Sequence, residues 1–457
     1  LEAPAPRSTA ARDTTTRTST AADRETVTLT VYNQNFGLVR EIRAIELGRG
    51  VLGLEFGDVA ASIQPETVHI RSLEGDGRLS VLEQNYQYDL LNPQKLLEKY
   101  VGRTVNVHVW NQEEEREEVK EAEVLSVNGG PILRIGDEIT YNVPGRLSFP
   151  EVPDDLIASP SLVWLLQSRA DRQRVEASYL TGGLNWKADY VMVLGEDDSE
   201  AGITGWVTLT NQSGATYEDA TLKLVAGDVQ RVAEGGMRPS AMQMRAMEEA
   251  DAAGFAEEAF FEYHLYTLGR PTTIRQNEKK QVSLLESPSF GLEKRLIFYG
   301  AAQYYRGSYG QVISNQKVGV YLDFENAEKN GLGMPLPAGV VRVYKRDASG
   351  AQQFVGEDRI DHTPRGETVS IKLGEAFDVV GDRRQTDYDV LGSCVSESSW
   401  EISLRNHKDE ASVIEVVEPV GGDWEIVSAS HAAKKLDAHT FKFDVRVPAR
   451  GEEKITY

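Results

Sequence analysis

Thr440-Phe-Lys-Phe-Asp-Val-Arg-Val447 places an apolar or aromatic side chain at every second position. Successive side chains of a strand point to opposite faces, so this spacing buries one face and wets the other. The style recurs upstream in Trp400-Glu-Ile-Ser-Leu-Arg-Asn406, Val318-Gly-Val-Tyr-Leu-Asp-Phe324 and Val340-Val-Arg-Val-Tyr344. It continues through Thr204 to Thr210, Trp186 to Leu194, Val175 to Leu180 and Val27-Thr-Leu-Thr-Val-Tyr32. Gly, Asn and Asp punctuate these runs, and short strands at this spacing indicate sandwiches.

The expected fold is therefore mainly β, with several β-sandwich domains in 457 residues. The spacing predicts a β domain over 27–102 and 148–174, a β-sandwich over 175–345 and a C-terminal β-sandwich over 346–457. Between 103 and 147, short strands around the charged tip Glu113-Glu-Glu-Arg-Glu-Glu118 and the turn Asn128-Gly129-Gly130 predict a small inserted SH3-like barrel. One helix is expected from Pro93. Asn92 is placed to cap it, Leu96, Leu97, Tyr100 and Val101 share an apolar face, and Gly102 stops it. Met237, Met242, Met244 and Met247 lie in Ala- and Glu-rich sequence, which predicts a short helical insertion over 233–258. That cluster reads either as a helix packed on its own domain or as a partner surface.

Residues 1–26 differ in composition. Their Pro/Ala start and Thr14-Thr-Thr-Arg-Thr-Ser-Thr20 describe either a disordered leader or an extended arm that becomes a strand when it gains a partner. A start at Leu1 rather than Met fits a processed N-terminus. In a strand, Thr14, Thr16, Thr18 and Thr20 share one face. Docked on a neighbouring copy as a donor strand, that face would meet the neighbour's sheet and could build filaments.

Asp and Glu total 71 against 49 Lys and Arg, a formal charge of -22. That balance excludes a general nucleic-acid binder and simple docking on anionic lipid. It fits either solubility or a cation-binding surface. No apolar run approaches the roughly 20 residues of a membrane-spanning helix. The single Cys394 allows no intrachain disulfide. Nucleophile-elbow, phosphate-loop and zinc-protease motifs are absent, and the seven histidines lack ligand spacing. No catalytic residue, metal site or cofactor is expected. Glu196-Asp-Asp-Ser-Glu200 reads as a turn or a hard-cation site, and Asp219 and Asp228 as turn formers. Asn211-Gln-Ser213 is a glycosylation sequon or a hairpin turn.

Tyr179-Leu-Thr-Gly-Gly-Leu-Asn-Trp-Lys-Ala-Asp-Tyr190 resembles the entry motif of an uncharacterised bacterial family, domain-of-unknown-function family 4139. Gly205-Trp-Val-Thr-Leu-Thr-Asn-Gln-Ser-Gly214 and Tyr217 to Asp228 resemble its second signature, and Phe261 to Tyr266 with Gln281 to Leu285 its third. Tyr32-Asn-Gln-Asn-Phe36 and Glu83 to Leu90 resemble the segment that precedes them. The family is related to mucoidy-inhibitor-A-like proteins. The resemblance implies a β-sandwich fold, export to the cell envelope or exterior, and no assigned activity. The expected function is a structural protein whose partners are copies of itself. A monomeric envelope module, for example one binding polysaccharide, is the alternative, and a hydrolase with an unrecognised site is a third reading.

Overall fold

A computed structural model describes residues 15–457 except 88, 113–114, 142–144, 154–155, 158, 228, 232–254 and 311. The chain is mainly β and forms several sheets, with one α-helix among the described residues, Pro93–Lys99. The Asn92 side chain accepts from the Lys95 amide at 2.9 Å, Pro93 opens the first turn and Leu97 is buried. The helix ends as expected near Gly102, which holds φ +78. Val101 does not join its apolar face and is exposed.

The chain divides into two compact units, each assembled from separate stretches. The first comprises residues 1–185, 210–224 and 270–279. Its longest ladder centres on Phe36–Glu46, antiparallel to Arg24–Tyr32 on one side and Arg172–Gly182 on the other. His69–Ser72 extends it beyond Arg172–Gly182. A four-stranded sheet centres on Gly50–Phe56, which pairs in parallel with Thr16–Ser19 and antiparallel with Ser161–Ser168. Leu79–Gln87 forms its far edge. Leu52, Leu54 and Phe56 alternate inward here, and Phe56 meets Trp164 edge-on at 5.6 Å. Burying each such side chain stabilises by about 1.5–3 kcal/mol.

The inserted segment forms a five-stranded antiparallel sheet running from Glu138–Tyr141 through Ile132–Ile135, Arg116–Ser126 and Thr104–Asn111 to Arg146–Ser148. Val105, Val107, Ala122, Val124 and Leu133 form its core with Leu97 and Tyr100 of the helix. The short strands expected between 103 and 147 are present in this one sheet, and among the described residues no ladder joins its two edge strands. Its apolar face is covered by the helix segment.

The second unit comprises residues 186–209, 225–269 and 280–457. One of its sheets sets Gly339–Arg346 parallel to Leu184–Leu194 and antiparallel to Gln352–Ile360. The other has eight strands and includes the 25-residue strand Thr368–Gly392, paired with Ile313–Glu325 and Val395–Asn406. Its core gathers Phe298, Val379, Ile402, Leu404, Val416 and Phe443. Phe255–Phe260 and Tyr263–Leu268 form a hairpin.

Two expected boundaries are corrected. The break at 345/346 falls inside Gly339–Arg346, and that at 174/175 inside Arg172–Gly182. Alternation marks a segment as a strand but not which strand it joins, and both strands pair across the expected break. Most of the expected Met-rich helical insertion lies outside the described residues. Its last part, residues 255–258, belongs to a strand.

Candidate functional site: the docked arm and the cleft beside it

The arm finds its partner in its own chain. Thr16–Ser19 runs parallel to Gly53–Phe56, with the Gly53 amide donating to Thr15 O at 3.1 Å and the Gly57 amide to Ser19 O at 2.8 Å. Gly53 permits this approach, because a Cβ there would lie 2.9 Å from Thr16 Oγ1. Thr20 leaves the strand and caps the turn Ala21–Asp23, its amide bound to Asp23 Oδ2 at 3.0 Å. The Ala21 amide donates to Asp58 Oδ2 at 3.0 Å, and Ser159 Oγ donates to Asp58 Oδ1 at 3.0 Å. The Ala21 amide is the main reason the Asp58 carboxyl is held below its usual range.

The Thr face expected to meet a neighbour does not pack on the chain's own sheet. Thr14 lies outside the described residues, Thr16 and Thr18 are exposed, and the buried arm residue is Ser19. A single strand of four residues offers few backbone bonds, and a charged cluster underneath supplies the rest.

That cluster stands on Phe36–Glu46. Val39, Glu41, Arg43 and Ile45 share one face, so the alternation that buries Val39 and Ile45 also buries a carboxylate and a guanidinium. Glu41 and Arg43 are fully buried. Arg43 Nη2 donates to both Glu41 oxygens at 3.2 Å and to Gly57 O at 2.9 Å. Its Nη1 donates to Ser19 O at 3.0 Å, and the guanidinium lies 3.5 Å from the Phe56 ring centroid. Arg24 follows the arm's turn and reaches back, its Nε donating to Glu41 Oε2 at 2.7 Å. Burial pulls the Arg43 pKa down, while Glu41 resists that shift. Charges this deep are tolerated only when paired and hydrogen-bonded, and here one partner is the arm's backbone.

A polar cleft of about 470 Å³ opens beside the turn, lined among others by Arg24, Asp58, Ser159, Thr216, Glu218 and Asp219. Its lining includes no histidine or cysteine. The Ser159 hydroxyl donates to Asp58 Oδ1, the same carboxylate that holds the Ala21 amide. The arrangement can hold a small polar ligand by hydrogen bonds and charge.

Asn211 is fully buried, and its Nδ2 donates to Ala215 O, Ile274 O and Arg275 O at 2.8, 3.3 and 3.1 Å. The glycosylation reading is thereby corrected, since the nitrogen that would carry a glycan has no open approach. Ser213 donates to Asn211 Oδ1 at 2.8 Å, but the strands before and after this turn, Glu200–Asn211 and Tyr217–Ala226, lie in different sheets, so the hairpin reading is corrected to a turn between sheets. In Glu196–Glu200 the left-handed Asp198 holds Lys294 at 2.6 Å and also Lys345, so lysines occupy its carboxylate. Among the described residues no group of three His, Cys, Asp or Glu side chains is arranged for a metal ion. Asp219 holds φ +47 inside the strand Tyr217–Ala226, where the register with Thr272–Ile274 shifts, so its turn-former reading is corrected to a bulge, and Asp228 lies outside the described residues.

Sequence reasoning passed over Glu41, Arg43, Arg24 and Asp58. The signal was present for two of them, because Glu41 and Arg43 stand in phase with Val39 and Ile45. Compared with known proteins, the chain matches no protein-family model. No curated protein matches it either.

Proposed function

We propose that the chain is a non-catalytic binding module of the cell envelope or exterior, working as a monomer with its arm docked on itself. The observation that carries this reading is the latch. Arg43 grips the Ser19 carbonyl while Arg24, five positions on, grips the same Glu41 that Arg43 holds. Exchange of the arm with a second copy would have to open this knot across a linker of a few residues, each spanning at most about 3.5 Å. The pairing of Thr16–Ser19 with Gly53–Phe56 of the same chain favours this reading over a donor strand exchanged between copies. The polar cleft beside the latch supports ligand binding. The envelope location is supported by the likeness of Tyr179 to Tyr190 to an exported family.

Light scattering of the full chain over a wide concentration range, with electron microscopy of the same samples, tests the reading. Monodisperse monomers are expected. Filaments that vanish on removal of residues 1–24 would establish the donor-strand assembly in its place.

A further inference from the structure

We infer that the cleft takes a short zwitterionic ligand of the peptide or amino-acid type, with its carboxylate on Arg24 and its ammonium on Glu218 and Asp219; this rests on the binding-module reading above. Arg24 carries the inference. Its side chain is 10% exposed, yet among the described residues only its Nε has a hydrogen-bond partner, Glu41. A guanidinium carries five N–H donors, and the two terminal nitrogens form a fork that matches a carboxylate. Those nitrogens are not sealed in the interior, and Arg24 lines the cleft. A buried cation with unused donors facing a cavity is a built anion seat.

The charge around it selects the ligand further. Glu41 is shared by two guanidiniums, so the Arg24–Glu41–Arg43 group carries one surplus positive charge. Asp58, another carboxylate of the lining, already accepts Ala21 N and Ser159 Oγ. At the rim, Glu25 is paired with Arg174 at 2.8 Å, whereas Glu218 and Asp219 are exposed and have no ion pair among the described residues. A simple anion would meet repulsion from these two on its way in, and a simple cation would meet Arg24 at the floor. A molecule with a carboxylate at one end and an ammonium at the other satisfies both. Thr26 and Thr216 also line the space and offer hydroxyls to the amides between. The volume of about 470 Å³ suits a short peptide.

Triglycine is the probe, with triglycine amide and N-acetyl-triglycine as controls, followed by saturation-transfer NMR against the full chain. Triglycine should bind, and each control should bind at least tenfold more weakly. Glu218→Gln with Asp219→Asn, two exposed changes that leave the core alone, should erase the preference over the acetylated peptide and keep the preference over the amide. Arg24→Lys should erase the preference over the amide. Its thermal unfolding, read beside wild type, shows whether the latch survives, and the rim variant tests the inference if it does not. No triglycine binding, or equal binding of all three peptides, overturns the zwitterion inference. Binding of neutral oligosaccharides with protection of the same cleft would overturn it as well, while leaving the binding-module reading intact.

Discussion

Each unit buries an arginine against a glutamate, and the two pairs are used differently. In the first unit Arg43 spends its donors on Glu41 and on the carbonyls of Ser19 and Gly57, and Arg24 extends the group to an open cleft. In the second unit Arg383 approaches Glu418 to 2.6 Å, and both side chains are fully buried. No nitrogen of Arg383 meets hydrogen-bond alignment, so the attraction there is that of a close ion pair. Tyr305 donates to the second Glu418 oxygen at 2.8 Å and lies 2.9 Å from the Tyr457 hydroxyl. The rings of Phe298 and Tyr304 flank the guanidinium at 5.1 and 5.2 Å. Burial pushes the Glu418 carboxyl up, against the pull of Arg383 and the tyrosine hydroxyls. Gly300 leaves the room this carboxylate occupies, since a Cβ there would collide with it. The same residue pair thus serves as a sealed keystone in one unit and, in the other, as a latch that holds the arm beside a cleft. What distinguishes them is the partner of the guanidinium: side chains of one core, or the backbone of an arm.

The comparison breaks most sharply on single truncations. Arg383→Met leaves Glu418 buried without its cation and should cost about 3–5 kcal/mol in urea unfolding, with the arm still docked. Arg43→Met should cost a similar amount and also release the arm, seen as faster amide exchange at residues 16–19. If the arm stays protected in Arg43→Met, the latch account fails. Gly53→Val should be milder. Its side chain would press on Thr16 Oγ1 and should cost about 1–3 kcal/mol, confined to arm docking and absent from the Arg383 region. Calorimetry that shows loss in the second unit instead would contradict the assignment.

The smallest effect is that of pH. Asp58 has a lowered folded pKa, so its contribution is complete above the undocked value of about 3.9 and is lost as pH falls through the lower folded value. Arm protection should therefore decline below about pH 4, and Asp58→Asn should remove that part of the decline. A pH-independent arm would show that Ala21 gains nothing from the carboxylate.

The strands were legible because alternation is local, as in Thr440–Val447 and Phe36–Glu46. The Pro93 helix was legible because a cap, a proline and a glycine stand at the right positions. Pairing was not legible. Thr16–Ser19 and Gly50–Phe56 meet through contacts more than thirty residues apart, and nothing in a Thr-rich run says whether its partner is near or foreign. The latch was half legible, as two charges in phase with Val39 and Ile45. Arg24 and Asp58 gain their roles only when the arm's turn folds over them.

The most direct test places cysteines at Thr18 and Glu55, which face each other across the arm ladder, in a Cys394→Ser background. On oxidation the double variant Thr18→Cys/Glu55→Cys should form an internal disulfide and run as a compact monomer. A mixture of the two single variants should give no disulfide-linked heterodimer. Ladders of linked oligomers from the double variant, or a heterodimer from the mixture, would contradict the docked arm and restore exchange of the arm between copies.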